Sequence, residues 1–188
     1  MPDQVVLSGT VDRLFDFLDN NGGLTEEFLY QHQPTTPDPI PVYATNRRPI
    51  GRLDYEVASA TGLTILEGPA LIVARKGYAG RIFVVSDTRF IVQEDAYAIL
   101  PKPEYRDRIN LAWFAAHYTE EFQSLRTSED GIGDFPRTLL KSRSVSIPSV
   151  EVQDRLAALY QRRDTLMSGI SGISGRIQQH IMSQAVVG

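Results

Sequence analysis

From Val152 to Gln184 the chain repeats in alternating steps of four and three: Val152, Leu156, Leu159, Arg163, Leu166, Ile170, Ile173, Ile177, His180 and Gln184, with seven of the ten positions apolar. This is the heptad of a helix that packs along a seam, and it predicts a coiled-coil helix over residues 148–188. Gly169, Gly172 and Gly175 interrupt that stretch, each at a cost of about 1 kcal/mol relative to alanine. A helix so handicapped needs a surface to pack against. Their spacing of three lets another backbone come close; the alternative is a break or kink in mid-helix. A lone apolar seam leaves a stripe in water that soluble monomers rarely tolerate. The expectation is therefore a homodimer that buries Leu156, Leu159, Leu166, Ile170, Ile173 and Ile177 between chains. Arg163, His180 and Gln184 on the same seam would fix register. The competing arrangement folds the helix back onto its own domain through a bend at the glycines.

The remaining residues, 1–147, read as one globular domain, since 188 residues that are 42% hydrophobic can bury a core without disulfide or metal. Residues 4 to 18 suggest a short strand running into a helix, broken by Asn20-Asn21-Gly22-Gly23. TEEFLY reads as a short helix with Thr25 as its N-cap. PTTPDPIP, residues 34 to 41, holds four prolines and reads as a connecting loop that excludes helix and central strand. From Ile40 onward, β-branched and aromatic runs punctuated by Gly, Asp and Pro predict an irregular, mostly antiparallel sheet. Residues 108 to 125 return to helical spacing through Ile109, Trp113, Ala116 and Phe122, SEDGIGDFP reads as a surface loop, and SVSIP as a last strand. The fold class is α/β in the α+β sense: a mostly antiparallel sheet domain followed by the long helix.

The sequence lacks the signatures of several activities. It has no cysteine, which rules out a disulfide framework, a thiolate metal site and a cysteine nucleophile, and suits a reducing compartment such as the cytoplasm. The start, MPDQVVLSGTVDRLF, has no basic leader followed by an apolar stretch, and no apolar run approaches bilayer length, so secretion and membrane insertion are not expected. Neither a phosphate-binding G-x-x-x-x-G-K-[ST] loop nor the Gly-rich turn and (Asn/Asp)-Pro-Pro-aromatic tetrapeptide of a DNA methyltransferase is present. His32, His117 and His180 are far apart, so no metal, cofactor or catalytic residue is assigned.

A net charge of −4 argues against binding nucleic acid by bulk positive charge. The cations come instead in small groups: Arg47-Arg48, Arg75-Lys76 with Arg81, and Lys141 with Arg143. ARKGYAGR, between the strand-like runs ALIV and IFVV, describes a turn presenting Arg75, Lys76, Tyr78 and Arg81 around glycine backbone. Such a turn suits phosphate contact through backbone N–H groups and side-chain reach into a groove, and a hairpin that only needs glycine to turn has the same pattern. Tyr43, Thr45, Asn46, Arg47 and Arg48 follow the proline-rich loop and form a second candidate edge, because Asn pairs with adenine and Arg with guanine.

GLTEEFLY with IPVYATN, Gly51, EGPALIVARKGYAGRIFVV, a Tyr-Ala-Ile-Leu strand, LAWFAAHY and LLKSRSVSIPSVEVQDRLAALYQRRDTL occur in this order from about Val5 to Leu166. The series resembles the target recognition domains of specificity subunits of Type I restriction-modification systems, in which an I-P-x-x-x-x-Q segment opens the long helix. Two features depart from that family: Val152 stands before Gln153 where a polar pair is usual, and a single domain-plus-helix set replaces two. The resemblance implies a half-length, non-catalytic subunit. It would bind double-stranded DNA, with Tyr43, Thr45, Asn46, Arg47, Arg48, Arg75, Lys76, Tyr78, Arg81, Lys141 and Arg143 as contact candidates. It would also bind a methyltransferase subunit and, through it, a restriction subunit, and a symmetric dimer would read a palindromic bipartite site. Two alternatives stay open on the residues: the recognition part of another restriction or phage-defence methylase, and a coiled-coil interaction module without DNA binding.

Overall fold

The computed structural model describes residues 5–127 and 133–185, with the side chains of the last helix described through Ile173 and at Arg176. Two four-stranded sheets lie face to face. The first, in the order β2-β9-β6-β7, is antiparallel throughout and consists of β2 (Phe15–Leu18), β6 (Ala70–Ala74), β7 (Ile82–Val85) and β9 (Ala96–Pro101). The second, β4-β3-β8-β5, consists of β3 (Ile40–Tyr43), β4 (Gly51–Leu53), β5 (Leu66–Glu67) and β8 (Arg89–Val92), and its β3–β8 pair is parallel. A two-stranded ribbon joins β1 (Val5–Thr10) to β10 (Ser144–Pro148).

Alternation along the strands explains the layering. Side chains on a strand point to opposite faces in turn, and here both faces are covered. On β6, Leu71 and Val73 enter one core with Trp113, Phe114 and Phe122, whereas Ala70 and Ile72 enter a second with Phe83 and Phe90. On β8, Phe90 and Val92 join that second core, while Ile91 turns to a third with Leu29, Val42 and Leu53. The order is thus helices, sheet, sheet, helices. Helix α4 (Leu111–Ser124) backs the first sheet with α5 (Arg137–Ser142), and α2 (Glu26–Gln31) with α3 (Tyr55–Ala60) backs the second.

The structure corrects three local expectations. After Thr10 the helix lasts one turn, α1 (Val11–Leu14), and the chain returns to strand because β9 offers a ladder partner, with Phe15 opposite Pro101 and Phe17 opposite Ile99. Tertiary pairing overrides local helical spacing there. Pro41 lies inside β3, a central strand, and is buried. It is tolerated because pairing to β8 starts only at Val42, so the N–H that proline lacks is not asked of the β8 ladder. In SEDGIGDFP, residues 128–132 lie outside the described residues, but Asp134 bridges to Lys76 and Thr127, and Phe135 is fully buried against Phe122.

Thr25 caps α2 as expected, its hydroxyl accepting from the Phe28 N–H. The proline-rich loop before β3 is pinned by Asp54, whose carboxylate accepts from the backbone N–H and hydroxyl groups of Thr35 and Thr36. These bonds hold its pKa down to about 2, so the pin stays charged until strongly acid conditions.

The last element, α6 (Val150–Ala185), is 36 residues long and runs without interruption through all three glycines. This removes the bend that folding back would need. The first of the six residues expected at the dimer seam serves the domain instead, because Leu156 packs against the first core with Ala157 and Tyr160 rather than standing in the open stripe. Leu159, Leu166, Ile170 and Ile173 are each more than half exposed. The side chains of Ile177, His180 and Gln184 lie outside those described. Among the described residues no helix is long and apolar enough to cross a membrane.

Candidate nucleic-acid interface

The junction of domain and helix rests on one side chain. Gln153 is fully buried, its Oε1 accepting from the Asn110 N–H at 2.8 Å and its Nε2 donating to the carbonyls of Arg108 at 2.8 Å and Pro148 at 2.9 Å. Asn110 in turn caps α4, accepting from the Trp113 N–H, and donates to Asp154 on α6. His117 adds a second tie, stacking on Trp113 and bonding the Tyr160 hydroxyl across the two helices. Burial lowers its pKa, with Glu121 opposing. His32 bonds the Phe28 carbonyl and stacks on that ring.

This junction positions a cleft of about 790 Å³. One wall is the hairpin loop between β3 and β4, which closes with the Ile50 N–H on the Val42 carbonyl and presents Asn46, Arg47 and Arg48, all exposed. The other walls are Arg81 just before β7, the Ala115–Glu120 stretch of α4 and, from α6, Arg163, Asp164 and Met167. Arg163 was legible in the sequence only as a polar break in the seam; the structure brings it to Glu120, at 3.9 Å, and into the same cleft as Arg47 and Arg48.

The ARKGYAGR segment is the β6–β7 turn, held by Gly80 N–H to Ala74 O at 2.8 Å and Arg81 N–H to Tyr78 O at 2.9 Å. Gly77 and Gly80 adopt φ of +66° and +84°, the region that side chains disfavour. The N–H groups of Arg75 and Lys76 donate to the Asp95 carbonyl. Four of the segment's N–H groups, those of Arg75, Lys76, Gly80 and Arg81, are thus satisfied within the protein. The side chains face outward: Lys76 and Tyr78 are exposed, and the Arg81 guanidinium lies 4.5 Å over the Tyr78 ring while donating to Asn46 Oδ1 at 3.4 Å. That contact joins the two loops that the sequence presents as separate edges.

The other candidates lie elsewhere or are engaged. Tyr43 is in the second core, its hydroxyl donating to Asp87 at 2.7 Å and pushed up to about 12 by burial and that carboxylate, so it has no free face to offer. Thr45 is half-buried beside it. Arg75 pairs with Asp134 at 3.5 Å, Lys141 with Asp12 at 3.1 Å and Arg143 with Glu121 at 3.2 Å. Among the described residues Arg47, Arg48, Lys76 and Arg81 are in no ion pair.

No family model matches the sequence, and no curated protein matches it. Solved structures do. The S subunit of a Type I restriction-modification system from M. genitalium superposes with a TM-score of 0.60 at 15% identity, covering 88% of this chain and 41% of that one. The HsdS subunit from Thermoanaerobacter tengcongensis gives 0.62 at 10% identity, covering 89% and 39%. A chain from a structure on complex assembly and conformational transition of the type I R-M system gives 0.61 at 10% identity, covering 90% and 41%. The chain has the fold of Type I S subunits and spans about two fifths of the length of those it matches.

Proposed function

We propose that this chain is a sequence-specific DNA-binding specificity subunit of a Type I restriction-modification system. It works without catalytic residues or cofactor of its own, and directs a separate methyltransferase subunit, and through it a restriction subunit, to a bipartite target. The observation that carries this reading is the fold, shared over about nine tenths of the chain with S subunits. The cleft adds local support, because Asn46, Arg47, Arg48 and Arg81 all line it while the chain as a whole is acidic. A locally positive edge on an acidic protein favours contact at chosen points over indiscriminate coating of DNA.

Salt titration of duplex binding tests the reading. Each phosphate contact contributes about 0.9 to the slope of log affinity against log salt. The Arg47→Ala/Arg48→Ala variant is expected to flatten that slope by one to two such steps while melting at the wild-type temperature, since both side chains are exposed. Binding indifferent to salt in the wild-type chain overturns the reading and favours the interaction module.

The second arm concerns assembly. Two chains paired along α6 would cover the stripe of Leu159, Leu166, Ile170 and Ile173 and rebuild two recognition domains for a two-part site. Light scattering at tens of micromolar should return the mass of two chains. Leu166→Asp with Ile170→Asp should return the mass of one, with the domain's melting temperature unchanged. A monomeric wild-type chain rules the pairing out.

A further inference from the structure

Resting on the DNA-recognition reading above, we infer that Arg81 reads a guanine and that Tyr78 and Asn46 are positioning residues that hold it for that task. Arginine on an exposed turn ordinarily loses rotamer freedom when it pairs, which weakens any single contact. Arg81 is already restrained on two sides. One face of its guanidinium lies 4.5 Å over the Tyr78 ring, and Nη1 donates to Asn46 Oδ1 at 3.4 Å. Among the described residues these contacts leave the Nε–Nη2 edge open, which is the planar two-donor fork that matches O6 and N7 of guanine in the major groove.

The turn beneath is rigid enough to aim it. The hydrogen bonds between Arg81 N–H and Tyr78 O and between Ala74 N–H and Arg81 O tie the residue's own backbone. Ala79 is buried, and Gly80 sits directly against the backbone of Phe122. Arg75, by contrast, is held by Asp134, while Lys76 shows no comparable restraint among the described residues and, as an ammonium, carries no planar fork. The same contact explains why the two loops belong to one reading head: Asn46 spends its carbonyl oxygen on Arg81 and keeps its amide donor free beside the guanidinium.

The test is selection of bound sequences by the full chain from a pool of randomised duplexes, run for wild type, Arg81→Lys, Tyr78→Phe, Tyr78→Ala and Asn46→Ala. Wild type is expected to enrich a target containing a guanine whose preference falls about 10- to 100-fold in Arg81→Lys, with affinity for non-target duplex within a few-fold. Tyr78→Phe should keep that preference because the ring remains. Tyr78→Ala and Asn46→Ala should weaken it several-fold at that position alone. If Arg81→Lys lowers affinity for every duplex alike, or leaves the guanine preference intact, the inference fails and the DNA-recognition reading stands. If wild type enriches no sequence and binds no duplex, both fail.

Discussion

Gln153→Ala is expected to destabilise the folded chain by on the order of 3 to 5 kcal/mol, more than any single substitution on the surface of α6. The side chain makes three hydrogen bonds from a fully buried position. Removing it strands the Asn110 N–H and the carbonyls of Arg108 and Pro148, and a buried group left without its partner costs about 1 to 3 kcal/mol. The loss is not confined to the site. Asn110 caps α4, Arg108 ends the 3₁₀ turn before it (Pro103–Arg108), and Pro148 ends β10, so three elements meet α6 through this one amide. Urea denaturation should show the lower midpoint, and amide exchange should speed up at the start of α6 more than in β6 or β9. Gln153→Glu should be no milder, because its carboxylate has no donors for the two carbonyls. A midpoint within experimental error of wild type would show that water replaces the amide and that the packing of Leu156, Ala157 and Tyr160, with the Asn110–Asp154 bond, suffices to hold α6.

Gly80→Ala should cost about 3 kcal/mol or more, and Gly77→Ala about 1 kcal/mol, although both glycines have positive φ. A Cβ on Gly77 meets nothing within 4 Å, so only backbone conformation resists it. A Cβ on Gly80 would stand 2.5 Å from the carbonyl carbon of Phe122 and 2.7 Å from the Gln123 nitrogen, both backbone atoms that cannot swing away. The turn would have to lift off the end of α4 and carry Tyr78 and Arg81 with it. Gly80→Ala should therefore lower both the melting temperature and duplex affinity, whereas Gly77→Ala should lower the first slightly and leave the second within a few-fold. Equal effects at the two positions would mean that the close approach to α4 does not set the turn.

Much of the fold was legible because its signals are local. Thr25 capping its helix, the SVSIP strand and the helix around Trp113 each follow from side chains within a few residues of one another. The errors arose where a distant strand competed with local preference. Val11, Leu14, Phe15 and Leu18 have helical spacing, but Phe15 and Leu18 pair with β9, about 80 residues later, and Pro41 enters a central strand because its β8 neighbour asks for no N–H there. The short helices α3 and α5 carried no periodic run long enough to read, at six residues each.

The candidate site divides the same way. Sequence alone determined the two cation-bearing segments and the long helix with its apolar stripe, since these depend on residue type and spacing within one segment, whereas Gln153 stood out only through the family resemblance. Only the tertiary structure decided which cations are paired among the described residues. Arg75, Lys141 and Arg143 look like Arg47 and Arg81 in one dimension, and are distinguished by carboxylates at Asp134, Asp12 and Glu121 that lie between 22 and 129 residues away. It likewise removed Tyr43 to the core and set Asn46 against Arg81 across 35 residues. The physical reason is that charge pairing and burial depend on distances through space of a few ångström, which a linear pattern carries only where chain neighbours are also neighbours in the fold.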